Sequence, residues 1–330
     1  MKSRIVFAMA ALAAALGYTQ AARADDCPNR GDLDTMYCDA NKDLVADTPT
    51  DPAKLKTPST IVFTYTPVED PAVYAEIFAP FTKHLAQCMD RKVVFYQVQS
   101  NAAEIEAMRS NRLHVGGFST GPTNFAVNLA GAVPFAVKGN ADGFQGYNLI
   151  LIVKKDSPYQ KLSDLKGKKV AHTSPSSNSG NMAPIALFPD QGLVPGKDYA
   201  FLYSGKHDQS IMGVNSGDYD AAAVASDVFH RMAERGQIKE EDFRVIYRSE
   251  KFPTSSFSYA YDLEPAFRDK MLKCFYDYRF PKEMKEAFDG ADRFYPVTYQ
   301  KDWKIVRDVA KAGGESFTRS AYDKAAAKGK

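Results

Sequence analysis

The chain has 330 residues, 45% of them hydrophobic and 25% charged, with a formal net charge of +2. That length is enough for a large core or for two lobes. The near balance of charge and the lack of a basic tract exclude nucleic acid and anionic membrane surfaces as expected partners.

Residues 1–24 read as an export signal. Lys2 and Arg4 form a basic start, and Ile5 to Tyr18 is an apolar stretch too short for a stable anchor. Ala22-Arg23-Ala24 supplies a small-x-small cleavage pattern, and Ala24-Asp25-Asp26 ahead of Cys27 is not a lipobox. A soluble periplasmic protein cut near Ala24 is expected. Lys2, Arg4 and Arg23 leave with the signal and no acid does, so the formal charge falls from +2 to −1.

Four cysteines remain, and export makes disulfides the expected state, with three pairings open. Cys27 and Cys38 flank a short polar loop and are the expected first pair. Cys88 and Cys274 would then join distant parts of one lobe. Residues 25–58 read as an N-terminal extension rich in Asp, Pro and Thr. Within it, Asp39-x-Asn41-x-Asp43-x-x-x-Asp47 spaces oxygen ligands as a calcium loop does, although Leu44 stands where such loops carry glycine. A structural calcium and a solvated, self-capping acidic loop are equal readings. No other cofactor is expected.

Alternating strands and helices follow. Ile61 to Tyr65 is β-prone, and Val73, Ile77, Phe81, Leu85 and Cys88 recur at helical spacing. Val93–Val98 reads as a strand, 101–113 as a helix, and a further strand ends near Phe118. Gly146 to Lys155 is a long apolar strand suited to crossing between lobes. A second set comprises strands over 168–173, 199–203, 221–225 and 243–247. Phe257 to Tyr261 is a return strand, and helices are expected over 264–279, 282–289 and 301–312. The last fifteen or so residues are expected to fray. This order predicts an α/β protein with sheets covered by helices. One lobe would span 59–147 plus 253–330, the other 148–252.

Several segments sit where a strand ends and a helix begins, the edge at which open α/β sheets bind ligands. Ser119, Thr120 and Gly121 follow Phe118 and precede Pro122, expected as the first helical residue. Ser177, Asn178 and Ser179 offer more donors than one helix cap needs, and Gly180 would let a ligand approach the backbone. His207 and Asp208 open another helix, where His207 would donate best when protonated. Asp227 opens a fourth, and a buried carboxylate there asks for a P–OH or an ammonium on the ligand. Tyr65 can close the pocket with its ring or hydroxyl. Each feature alone is explained by ordinary capping; their repetition in both halves points to an anion gripped between opposed helix starts. His84, His114, His172 and His230 are assigned to packing or to ordinary helix positions.

Asp164-Leu-Lys-Gly-Lys-Lys-Val-Ala171, Ser174-Pro-Ser-Ser-Asn-Ser-Gly180, Ser204-Gly-Lys-His207-Asp208 and Ala222-Ala-Val-Ala-Ser-Asp227 give the chain its resemblance. Over about residues 59–312 it resembles the periplasmic phosphate/phosphite/phosphonate-binding proteins of ABC importers. The resemblance implies a two-lobed type II periplasmic-binding (clamshell) fold with the ligand between the lobes. It implies that Ser177 and Ser179 bind phosphonyl oxygens, with Asn178 at the intervening Thr position. It assigns His207 and Asp227 to the site and puts Phe118 where an aromatic contact, often Tyr, is found. The expected partners are a small oxyanion or phosphonate and an inner-membrane ABC permease, with the protein acting as a monomer and not as an enzyme. A sensor that binds an oxyanion such as arsenite for a histidine kinase ranks second, because these cysteines look structural. A hydrolase acting on phosphorus compounds ranks third, since the chain lacks Gly-x-Ser-x-Gly and His-Glu-x-x-His.

Overall fold

The computed structural model describes residues 27–328, so the expected export signal lies outside the described residues. After the extension come β1 (Thr60–Tyr65), α1 (Pro71–Ile77), α2 (Ala79–Met89), β2 (Lys92–Phe95), α3 (Asn101–Arg109), β3 (Val115–Phe118) and α4 (Thr120–Ala130). The chain continues through β4 (Ala132–Asn140), β5 (Gly143–Phe144) and β6 (Gly146–Lys154). Next are β7 (Lys169–His172), a π-helical turn over Asn178–Met182, α5 (Ala183–Leu187), β8 (Ala200–Tyr203), α6 (His207–Ser216), β9 (Ala221–Ala225), α7 (Ser226–Glu234) and β10 (Phe243–Pro253). The last part holds β11 (Ser256–Ala260), α8 (Pro265–Asp277), α9 (Lys282–Ala287), β12 (Arg293–Pro296), α10 (Tyr299–Asp302), α11 (Lys304–Ala312) and α12 (Arg319–Lys328).

Two sheets result. The seven-stranded sheet has the order β12-β4-β11-β3-β1-β2, with β5 on β4. The five-stranded sheet has the order β10-β6-β9-β7-β8. In each, parallel β-α-β strands form the half that carries the site: β2-β1-β3 in one, β8-β7-β9 in the other. The strands that join the sheets run antiparallel to these. The chain passes between the sheets at Gln145 and again at Thr254–Ser255. There the ends of β6 and β10 stay paired, with Phe252 opposite Tyr147 and Pro253 opposite Gly146. Two paired strands thus make the crossing between the sheets.

Burial explains which strands form. Leu149 to Val153 and Ala221 to Val224 are fully buried, the continuous apolar runs expected of central strands covered on both faces. The first lobe's core is aromatic, with Phe63, Phe78, Phe81, Phe257, Phe275 and Phe294 in one cluster. α11 packs on α5 of the second lobe, and its Val306 shares that lobe's cluster with Phe188. The C-terminal segment therefore leans on both lobes.

Several expected boundaries differ. The periodic run from Val73 to Cys88 is two helices, since Pro80 lacks the N–H to continue α1 and instead sits in the first turn of α2. The 301–312 helix breaks at Trp303, which turns inward to donate from its Nε1 to the Thr120 carbonyl at 2.9 Å. Strand β4 hides behind Pro134, which falls at a register shift against β11. α4 begins at Thr120, so Pro122 is its third residue. The tail does not fray at Tyr322, whose ring packs 5.5 Å from Phe125 and whose hydroxyl donates to the Ala102 carbonyl.

Both disulfides form as paired above, Cys27–Cys38 and Cys88–Cys274. The extension is clamped to the first lobe: Asp34 meets Arg109 at 2.9 Å, and its amide donates to the Asn128 carbonyl. Its acidic loop is satisfied from within. Asp39 accepts from the amides of Asp43 and Leu44, Asn41 from Asp43, Asp43 from Val45, and Asp47 from Ala40. No group of three or more His, Cys, Asp or Glu among the described residues is arranged to hold a metal. In this geometry the four side chains cap turns of their own loop. No helix among the described residues is long and apolar enough to cross a membrane.

Glu104 is fully buried on α3 with neither carboxyl oxygen paired. Burial raises its pKa well above the usual carboxylate value. A raised folded-state pKa contributes stability at low pH that is lost as pH rises towards that value. Glu104→Gln should therefore raise the melting temperature by more at about pH 8 than at about pH 5, checked by thermal melts at both; an equal shift at both would contradict a buried neutral acid.

Candidate functional site

Where the parallel strands of both sheets end, their helices start towards one cavity of about 40 Å³ between the lobes. The first lobe lines it with Tyr65, Val68, Asn101, Ser119 and Thr120. The second supplies Tyr147, Thr173, Ser177, Asn178, Ser179, His207, Asp227 and Arg231, while Thr254 and Ser255 close the hinge side. The lobes are shut on each other. Gly121, in the first turn of α4, lies so near the opposite loop that an added Cβ would stand 2.2 Å from the Ser176 carbonyl oxygen.

The helix starts are open to the cavity. Ser119, Lys206 and Ala225 precede α4, α6 and α7, all three line the cavity, and none caps its helix with a side chain. Uncapped N–H groups at a helix start carry partial positive charge and need an acceptor. Ser119 instead bonds to Thr66 and, at 3.3 Å, to Asn101. Ser177 does cap: its hydroxyl oxygen accepts from the Gly180 amide at 3.1 Å and from Thr173 at 3.3 Å. Those bonds use its lone pairs and leave its proton to donate. Gly180 serves this packing, not ligand approach, because a Cβ there would collide with the Thr173 hydroxyl. Behind the loop, buried His172 joins Asn181 and Tyr199, and Asn181 donates to the Pro175 carbonyl, which holds the serine segment in place.

Two buried polar atoms on the cavity wall have no partner: Asn178 Oδ1 and Thr254 Oγ1. The Asn178 Nδ2 lies 3.1 Å from the Tyr147 hydroxyl. With that amide turned over, Oδ1 accepts from Tyr147 and Nδ2 becomes a donor to the cavity, an arrangement an anion favours.

His207 Nδ1 accepts from the Ala225 amide at 3.2 Å. That bond places the ring proton on Nε2, which makes the neutral ring a donor. Burial lowers its pKa to about 4. The expectation that His207 acts best when protonated is thereby corrected: its charge would cost the Ala225 bond. Asp227 is the opposite case. Burial opposes its charge, but Arg231 and Lys138 outweigh burial and hold the carboxyl below its usual value. Its Oδ2 accepts from Arg231 at 2.9 Å, and no donor among the described residues reaches Oδ1.

Three expected site residues do not line the cavity. Phe118 is fully buried in the aromatic core, Gly121 makes the close approach between lobes, and Asp208 points away to cap the Gln209 amide. Tyr65 lines it, but its hydroxyl accepts from buried Lys138 at 2.8 Å. Arg231 was missed, although it stands four residues beyond Asp227 on one helix face, a spacing that signals an ion pair. Asn101, Tyr147 and Thr254 carried no sequence signal, being single polar residues in segments that read as ordinary.

The family described as ABC transporter, phosphonate, periplasmic substrate-binding protein matches residues 63–303. The chain belongs to that family. It is 27% identical over 265 residues to the phosphate-import protein PhnD of Mycolicibacterium smegmatis, covering 76% of this chain and 81% of that protein. It is 24% identical to the phosphonates-binding periplasmic protein of Escherichia coli, covering 69% of each. Its fold matches that of PhnD1 from Prochlorococcus marinus, solved with methylphosphonate, at a TM-score of 0.69 and 19% identity, covering 79% of this chain and 100% of that one. Neither the sensor nor the hydrolase reading gains support from these relatives.

His207→Ala removes one hydrogen bond to a charged ligand, worth about 1.5–3 kcal/mol, so affinity should fall roughly 10- to 150-fold. Because the ring is already neutral above about pH 4, the wild-type affinity should show no histidine step between about pH 5 and pH 8. Calorimetry across that range checks both; a step near the ordinary histidine pKa would contradict the assigned tautomer.

Proposed function

We propose that this family member captures phosphite, phosphate or a short phosphonate such as methylphosphonate and delivers it unchanged to an inner-membrane ABC permease. The observation that carries the reading is Asp227: a charged acceptor with one free oxygen, set in a cavity that Ser177, Ser179 and His207 also line. Helix starts, hydroxyls and His207 Nε2 meet the ionised oxygens of a tetrahedral anion, and Asp227 accepts the P–OH proton. Sulfate and sulfonates present only acceptors at neutral pH, so they would face Asp227 with like charge and no hydrogen, which is selectivity by an unmet partner. The cavity is small, about 40 Å³. It suits a PO₃ group with a hydroxyl, hydride or methyl substituent better than a long aminoalkyl chain. Names among the relatives agree in chemistry: one is called a phosphate-import protein, another a phosphonates-binding protein.

The protein works as a monomer after removal of its leader near Ala24, and ligand-driven closure presents both lobes to the permease. No turnover is involved. Phosphorus NMR of the pure protein with each candidate should show bound ligand returned unaltered, whereas accumulating product would make it an enzyme. Calorimetry should rank phosphite, phosphate and methylphosphonate above aminoethylphosphonate, with sulfate and arsenite not bound. Ser177→Ala combined with Ser179→Ala should weaken the best ligand by at least about tenfold; unchanged affinity would remove the serine segment from the site.

A further inference from the structure

A charge cluster that joins the two lobes starts in the cavity wall, at Asp227 and Arg231, and runs outward to Glu69. Glu69 belongs to the first lobe, in the loop between β1 and α1, and its side chain is 3% exposed. It accepts from Arg231 at 3.2 Å, from Arg235, and from the Tyr74 hydroxyl at 2.7 Å. Arg231 stands on α7 of the second lobe and Arg235 caps that helix's C-terminus. Arg231, also 3% exposed, reaches the other way to Asp227 at 2.9 Å. Asp289 of the first lobe sits 4.0 Å from the same guanidinium. Nearby, the His207 amide donates to the Val68 carbonyl across the same seam.

We infer that Glu69 is a cross-lobe latch and a positioning residue for the ligand's acceptor: from the first lobe it seats Arg231, and Arg231 seats Asp227. The pairing can form only when the lobes are shut, because its members sit on opposite sides of the hinge. Opening would strand Arg231 with Asp227 alone and return Glu69 to water. Closure thus does two things at once: it shuts the cleft and completes the pairing that holds Asp227 charged and oriented. Breaking a buried charge pair by removing one partner acts mainly on the rate of release.

The inference rests on the oxyanion reading above for its ligand but not for its geometry. Methylphosphonate dissociation rates and small-angle scattering test it, with and without ligand. Glu69→Gln should release methylphosphonate on the order of 30-fold faster or more and should show a larger radius of gyration than wild type at equal, sub-saturating ligand. Its effect should shrink when Asp227 is already Asn, since the two act through one guanidinium; additive losses would make Glu69 merely structural and overturn the positioning role. Arg235→Ala, at a partly exposed partner, should loosen closure in the same direction by less, and it serves if Glu69→Gln does not fold. Wild-type release rate and wild-type dimensions in the folded variant would overturn the latch. Should wild type bind no phosphorus oxyanion, the ligand reading fails separately, and the latch then stands or falls on whether the substitution expands the ligand-free protein.

Discussion

An ion taken out of water must find its hydrogen bonds again inside the protein, because an unpaired charge in a dry cavity costs several kcal/mol or more. This fold meets that demand with backbone. Four helices begin around one small space, two sheets aim them at it, and three of the four starts have no side-chain cap. In α6 the His207 amide meets the Val68 carbonyl and the Gln209 amide meets Asp208; the remaining first-turn amides are free to meet an anion. Gly121 lets the opposing backbones come close enough for both lobes to take part.

The second feature follows from the first. Donors of this kind carry no full charge, and the buried cations beside the cleft are already engaged, while half-buried Lys206 also lines it. Arg231 is paired with Glu69 and Asp227, and Lys138 is buried on Tyr65 and over the Phe288 ring, 4.3 Å from its centre. In the proposed reading, discrimination among anions passes to the Asp227 carboxylate, which accepts a proton-bearing oxygen. The buried ion pairs are weak evidence for stability, since desolvation offsets much of their attraction. Their value lies in orientation.

Much of this could be read from the chain. The serine segment, His207 and Asp227 stood at strand-to-helix junctions, and periodicity placed most of the strands that lead to them. Short polar elements were harder. β12 is four residues ending in Pro296, and β4 contains a proline, so neither shows the alternation that marks a strand. Phe118 and Asp208 were read as site residues because sequence gives proximity along the chain, not the direction of a side chain. Glu69 was invisible: its meaning depends on Arg231, 162 positions away and across the hinge. The histidine tautomer likewise depended on one amide of a neighbouring strand.

The Cys88–Cys274 bond spans 186 positions, and the whole second lobe lies between its ends. It staples the two halves of a discontinuous domain into a covalent ring from which the other lobe hangs as an insertion. A chain threaded outward from its N-terminus cannot close that ring until its last quarter has arrived. Once the ring is sealed, a protease cutting both hinge strands would set one lobe free and leave the other whole.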